Sequence, residues 1–347
     1  MSSSNILRLW KDALTLNGEK LDIGKDNTLK LVPGTDDTTI EFGDGTTDPD
    51  IKSYLGATTK YIKLDVDNSR VQLEDVDMLL GDNDHIDLGD GNDVRLRWNG
   101  TYLEGGPASG LWAGAPSPAD PQYHAIAHDF FDDFHLAPVD AGLVWHEEDD
   151  SGTGTNAATD AANGVANVVT AAADNDYHAI SSFNEHFKFA SGKKLWFEAR
   201  FLITEGTATE PAWWFGLTDT LTTGGFQANA AGPLASYDGA LIWKDESTLA
   251  VDFETSNLTS QATATADATF VSGKWSRVGF YFDGAATTST VTPYYDMNEA
   301  GVWTAGTTKN ITLSGLEEMH VVAGVKAGPT AAAETLSLDY IKCVQLR

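Results

Sequence analysis

The chain has 347 residues, with 51 acidic against 22 basic side chains, a formal net charge of −29, 41% apolar residues and 10% aromatics. That apolar share excludes global disorder, and the length allows two domains. Such an acidic surface repels nucleic-acid phosphates and anionic headgroups, so direct nucleic-acid or membrane binding is not expected, and solubility is the plain role of the charge.

The opening MSSSNILRLWKDAL lacks the apolar stretch of a signal peptide, and no run approaches the ~18 apolar residues of a membrane span, so folding in a reducing cytoplasm is expected. Ile6, Leu7, Leu9 and Trp10 precede any sizeable core. They are candidates for a docking peptide, or else for a first strand packed on the repeats.

Residues 1–105 carry a short imperfect repeat: GKDNTLKLVPG from Gly24, GTDDTTIEFGDG from Gly34, GDNDHIDLGDG from Gly81 and GDGNDVRLRWNG from Gly89. Each unit joins Gly and Asx, which tolerate turn conformations, to a brief apolar–polar alternation. YIKLDVDNSRVQL, Tyr61 to Leu73, reads as a hairpin turning at Asp67–Asn68. Strands this short must stack in a small solenoid-like sheet or pair across subunits. The module is therefore expected to dock and oligomerise. Asp82, Asp84, Asp90 and Asp93 are candidate calcium ligands. LGDGNDVRL departs in phase from the calcium-binding nonapeptide, so ordinary Asx turns are the competing account and no cofactor is assigned.

Residues 106–123, rich in Gly, Pro, Ser and Ala, read as a linker or arm. Trp112 within it anchors the arm either in a neighbouring subunit or on its own domain.

From 124 to 347 the pattern is one of alternating strands. Leu195, Phe197, Ala199, Phe201 and Ile203 share one face, with Trp196, Glu198 and Arg200 opposite. Val278, Phe280 and Phe282 form a second set, Leu249, Val251 and Phe253 a third, and Leu336, Leu338 and Tyr340 a fourth. VANVVTA predicts one strand between the polar loops of 151–176. Repeated period-two patterning of this kind predicts two sheets burying their inner faces, with very little helix. The single cysteine, Cys343, excludes an internal disulfide and reads as a buried hydrophobe.

Candidate chemistry is sparse. Asp252 and Glu254 share a strand face, but Ala250 occupies the place of a third carboxylate, so a glycosidase pair is not expected and the two read as solvated. Glu198 and Arg200 read as cross-strand ion-pair partners. The segment HDFFDDFH, as a strand, sends neighbouring ligands to opposite faces, which disfavours zinc. No nucleophile elbow, Walker loop or His-Glu-x-x-His occurs, and no enzyme is assigned. Trp213, Trp214, Trp243 and Trp303 are candidate platforms for stacking a sugar, if exposed.

DDFHLAPVDAGLVW, the stretch from Ala161 to Gly206, WWFGLTD and SGKWSRVGFYFDG resemble the concanavalin A-like jelly-roll domains of tailed-bacteriophage virion proteins. The FGDG and LGDNDHIDLGDG segments resemble the Gly-Asp repeats that precede them. The resemblance implies an all-β chain: a repeat module at 1–105, an arm, and a jelly-roll sandwich at 124–347. It implies a virion structural subunit of capsid-decoration or head-spike type on the outer capsid surface, commonly a homotrimer, with the major capsid protein as partner. The alternative is a lectin-like tail-fibre or receptor-recognition protein that binds host surface glycans.

Overall fold

A computed structural model describes residues 51–54, 61–65, 70–74, 85–88, 94–98, 103–106, 110–118, 122–136, 144–150, 153–159, 164–203, 211–220, 227, 231–258, 260–286, 288–329 and 332–347. The chain divides into two compact units, 1–79 and 80–347.

In the first unit, β1 (Ile51–Tyr54), β2 (Tyr61–Asp65) and β3 (Arg70–Glu74) form an antiparallel meander. The β2–β3 register, Asp65 opposite Arg70, is that of the hairpin expected around Asp67–Asn68. The second unit begins with another meander, β4 (His85–Leu88), β5 (Val94–Trp98) and β6 (Leu103–Gly106). The described repeat strands thus pair within the chain as two three-stranded antiparallel sheets. Ile6, Leu7, Leu9, Trp10 and the calcium candidates Asp82, Asp84, Asp90 and Asp93 lie outside the described residues.

The rest is a sandwich of antiparallel sheets. After the single helical turn α1 (Tyr123–Ile126), the strands are β7 (Ala127–Asp132), β8 (Trp145–Asp149), β9 (Thr155–Thr159), β10 (Val165–Val169), β11 (Tyr177–Ser182), β12 (Leu195–Ile203), β13 (Ala212–Thr218) and β14 (Tyr237–Lys244). Next come β15 (Ala250–Leu258), β16 (Ser260–Thr269), β17 (Ser276–Phe282), β18 (Thr288–Asp296), β19 (Thr304–Ala305), β20 (Lys309–Thr312), β21 (His320–Lys326) and β22 (Thr335–Leu346). One sheet runs β19-β18-β17-β12-β22-β10-β9, with β20 also on β18 and β7 also on β22; the other runs β16-β15-β14-β13-β21-β11-β8. Consecutive strands such as β10–β11, β11–β12, β12–β13, β16–β17 and β21–β22 change sheets, which makes this a jelly roll. Among the described residues, no helix is long and apolar enough to cross a membrane.

The core lies between the sheets where the alternation placed it. Leu195, Phe197, Ala199, Phe201 and Ile203 meet Trp213, Phe215, Leu217, Ile242 and Phe253. The Phe201 ring lies 4.4 Å from Phe215 and 5.0 Å from Trp213, as ring centroids. Cys343 is buried in this core, and burial pushes its thiol pKa well up.

One inward assignment is corrected. Phe201 pairs with Leu338 but Arg200 pairs with Tyr340, so Asp339 is an extra residue, a β-bulge in β22. The bulge shifts the phase: Leu336 and Leu338 face the core, then Ile341 and Cys343, while Tyr340 turns to the outer face. A strand also escaped the sequence pattern. β9, Thr-Asn-Ala-Ala-Thr, is an edge strand without a large apolar side chain, held by pairing with β10.

Candidate functional site

The outer face of the nine-stranded sheet is built in cross-strand rows. One row reads Asp129, Val344, Trp196, Tyr281, Thr292; the next, Phe131, Lys342, Glu198, Gly279, Tyr294; the third, Tyr340, Arg200, Arg277, Asp296. The first is sealed by Ala115 from the arm and by Tyr123 and Ala127, which cluster with Trp196 and Val344. The second is partly covered by arm residues Leu111 and Trp112. Gly110, with φ of 88°, makes the turn that presents them, and a Cβ on Gly279 would stand 2.4 Å from Leu111 Cδ2. Gly110 itself sits beside the Trp303 side chain, at the margin of the third row. In this chain the arm lies on its own sandwich.

Glu198 anchors the arm. Its carboxylate accepts from Trp112 Nε1 and from Tyr340 Oη at 2.5 Å, and Arg277 Nη1 stands 3.9 Å away. The Lys342 ammonium lies 4.1 Å from the centre of the Trp112 ring. Burial lowers the Lys342 pKa, opposed by Glu198 and Asp129. Burial, then Glu198, raises that of Tyr340.

The third row carries two parallel cation–aromatic stacks. The Arg200 guanidinium lies 4.4 Å from the centre of Trp275, and that of Arg277 lies 4.7 Å from Trp303. Arg200 donates through Nη1 to Asp339 at 2.5 Å and through Nη2 to Glu299. Arg277 donates to Asp296 through Nε at 3.2 Å and Nη2 at 2.7 Å. Asp296 also accepts from the backbone of Ala300 and Gly301, so the loop bearing Glu299 and Trp303 is tied to the row it borders. Trp275, Trp303, Tyr340 and both arginines are half-buried. Beside this loop lies a cleft of about 310 Å³ lined by Asp267, Thr269, Tyr295, Asn298, Val302 and Thr304, among others.

Of the four tryptophans considered as sugar platforms, Trp303 alone keeps part of its surface open. Trp213 lies in the core, and Trp214 and Trp243 are buried with Tyr177, Tyr237 and Leu241 on the outer face of the seven-stranded sheet, so their rings are occupied by protein atoms. Sequence reasoning missed Trp275. The alternation in KWSRVGFYF speaks only for the strand, while Trp275 stands just before it.

The remaining candidates are structural. Glu254 is buried, not solvated as expected, and accepts from Tyr237 Oη, Gln261 Nε2 and Thr263 Oγ1 at 3.0, 2.9 and 2.6 Å; burial raises its pKa against those hydrogen bonds. Asp252 accepts from the Ala266 backbone. Glu198 and Arg200 take different partners, as the pairs above show. Asp132 accepts from Phe134 N and Trp145 Nε1, and Asp133 pairs with His135 at 2.9 Å. Among the described residues no group of three or more His, Cys, Asp or Glu is arranged to hold a metal ion.

No family model and no curated protein matches the chain. Solved structures similar to it include a protein of unknown function from Shewanella oneidensis MR-1 (14% identity, TM-score 0.43, 64% of this chain and 87% of that one). Others are an endo-β-1,4-glucuronan lyase from Trichoderma reesei (10%, 0.42, 62% and 94%) and peanut lectin (12%, 0.42, 64% and 98%). At this level of likeness none of them carries a function to this chain. The expected virion role, capsid partner and trimer take no support from these similarities.

Proposed function

We propose that the sandwich is a non-catalytic carbohydrate-recognition domain whose binding face is the third row of the nine-stranded sheet. One observation carries this: Trp275 and Trp303 stand half-buried, each backed by an arginine that carboxylates hold in place. Sugar recognition needs an apolar ring against which C–H groups pack and a few rigid polar groups for the hydroxyls. A guanidinium has five N–H donors; Arg200 commits Nη1 and Nη2 to carboxylates and keeps further N–H donors for a ligand, while Arg277, bound to Asp296 with Nη1 turned toward Glu198, serves chiefly to hold Trp303.

The sequence resemblance to virion proteins supplies a setting for such a domain, namely recognition of surface glycans by a particle. The test is retention of the full chain on a panel of immobilised polysaccharides, with Trp275→Ala and Trp303→Ala compared. Each variant is expected to lose about tenfold or more in affinity, as for the loss of one stacked aromatic anchor, while keeping the parent melting curve. Equal binding by parent and both variants would overturn the assignment.

A further inference from the structure

The charge pattern of the binding face goes further than sugar recognition as such. The face and its arm-covered neighbour hold three cations, Arg200, Arg277 and Lys342, and four carboxylates, Glu198, Asp296, Glu299 and Asp339. Each arginine lies within 4.0 Å of a carboxylate, and Lys342 stands directly across the strand pair from Glu198. Two of the carboxylates, Asp296 and Asp339, are held in place. The Asp296 side chain is 1% exposed and that of Asp339 16%. Both receive further constraint: Asp296 from two backbone N–H groups of its own loop, Asp339 from its position at the bulge.

We infer that the face is selective for uncharged glycans and discriminates against uronate- or sulfate-bearing ones. This rests on the carbohydrate-recognition reading above. An acidic sugar would need an arginine with a free bidentate edge. To obtain one here, it must displace Asp296, Asp339 or the more exposed Glu299 and take the guanidinium away from that carboxylate, at greatest cost for Asp296, whose side chain is 1% exposed. It must also approach a molecule of net charge −29, whose field repels polyanions well before contact. A neutral hydroxyl meets neither obstacle: it accepts from the uncommitted N–H groups of Arg200 and donates to the carboxylate oxygens while every pair stays intact. Repulsion built into a site is how close analogues are told apart.

The test uses the full chain in affinity electrophoresis through gels containing dextran, laminarin, galactomannan or xyloglucan, and through gels containing alginate, polygalacturonate or heparin. At least one neutral polymer should retard the chain about tenfold more strongly than any acidic one. That retardation should stay unchanged from roughly 0.05 to 0.5 M salt, because screening acts on net charge and the contacts are dipolar. Glu299→Gln removes the charge of the most exposed of the four carboxylates, 47% exposed, and weakens the hold on Arg200 Nη2 without opening the core. It should raise retardation by the acidic polymers about threefold at the lower salt. Salt-sensitive binding of an acidic polymer by the parent chain would overturn the selectivity while leaving sugar recognition standing. Retardation by none of the seven polymers would remove both.

Discussion

Replacing Glu198 with Ala tests the junction of arm and sheet most sharply. The substitution deletes the acceptor of Trp112 Nε1 and Tyr340 Oη and the counter-charge nearest Lys342, which is half-buried over the Trp112 ring. A hydrogen bond to a charged group contributes about 1.5–3 kcal/mol, and breaking a buried pair from one side costs about 3–5 kcal/mol. These overlap, since one carboxylate serves all partners, so about 4 kcal/mol is expected. For a unit of this size that corresponds to a melting temperature lower by about 8–16 °C. Differential scanning calorimetry reads the shift, and the near-ultraviolet circular dichroism of Trp112 reports whether the arm has lifted. Adding Lys342→Met to Glu198→Ala should restore about 1–2 kcal/mol, because the stranded ammonium is gone. A loss below about 1 kcal/mol for Glu198→Ala, with an unchanged aromatic signal, would refute the arm as a Glu198-held strap.

The same structure sets other outcomes. Gly279→Ala places a methyl group against Leu111 and the Phe197 carbonyl, and overpacking of this kind costs about 1–3 kcal/mol; urea unfolding should show a lower midpoint. Phe201→Ala empties the centre of the Trp213, Phe215 and Phe270 cluster and should cost about 3–5 kcal/mol by the same measurement. Acid should weaken the fold through His128 and His186, whose rings lie 5.8 Å apart. Burial lowers both pKa values, with Arg347 adding to the effect on His128 and with His128 and His320 adding to that on His186. At these two sites the folded chain therefore binds fewer protons than the unfolded one below pH 6.5, and their contribution to stability falls as pH drops from there through the depressed values. A His128→Gln, His186→Gln variant should show a flatter melting temperature between about pH 6.5 and 5, and an unchanged slope would contradict this.

The sandwich was legible because its strands repeat period-two alternation with large side chains, as in KLWFEARFLI, where all five alternate residues from Leu195 are core. Tyr340 escaped because a bulge inserts one residue without leaving a mark in hydrophobicity. Leu-Ser-Leu-Asp-Tyr-Ile continues to look periodic through Asp339, and only pairing with β12 reveals the slip. That same bulge delivers Asp339 to Arg200 and Tyr340 to Glu198, so the missed irregularity lies at the candidate site. The tryptophans show the opposite failure. Composition identifies rings fit for stacking, but exposure depends on what lies over each sheet. Trp214 and Trp243 are on an outer face and are nevertheless buried, with Gly232 of the β13–β14 connection within reach of the Trp243 ring. The arm was visible as a Gly/Pro-rich stretch, whereas its docking partner, Glu198, lies 86 residues away from Trp112 and could be found only in three dimensions.

The most direct measurement is a crystal structure of the chain grown with a neutral oligosaccharide that retards it in gels. The account predicts sugar density against Trp275 and Trp303, with hydroxyls on Arg200 and with the four carboxylates still paired. Ordered sugar over the seven-stranded sheet, with the arginine row bare, would contradict it.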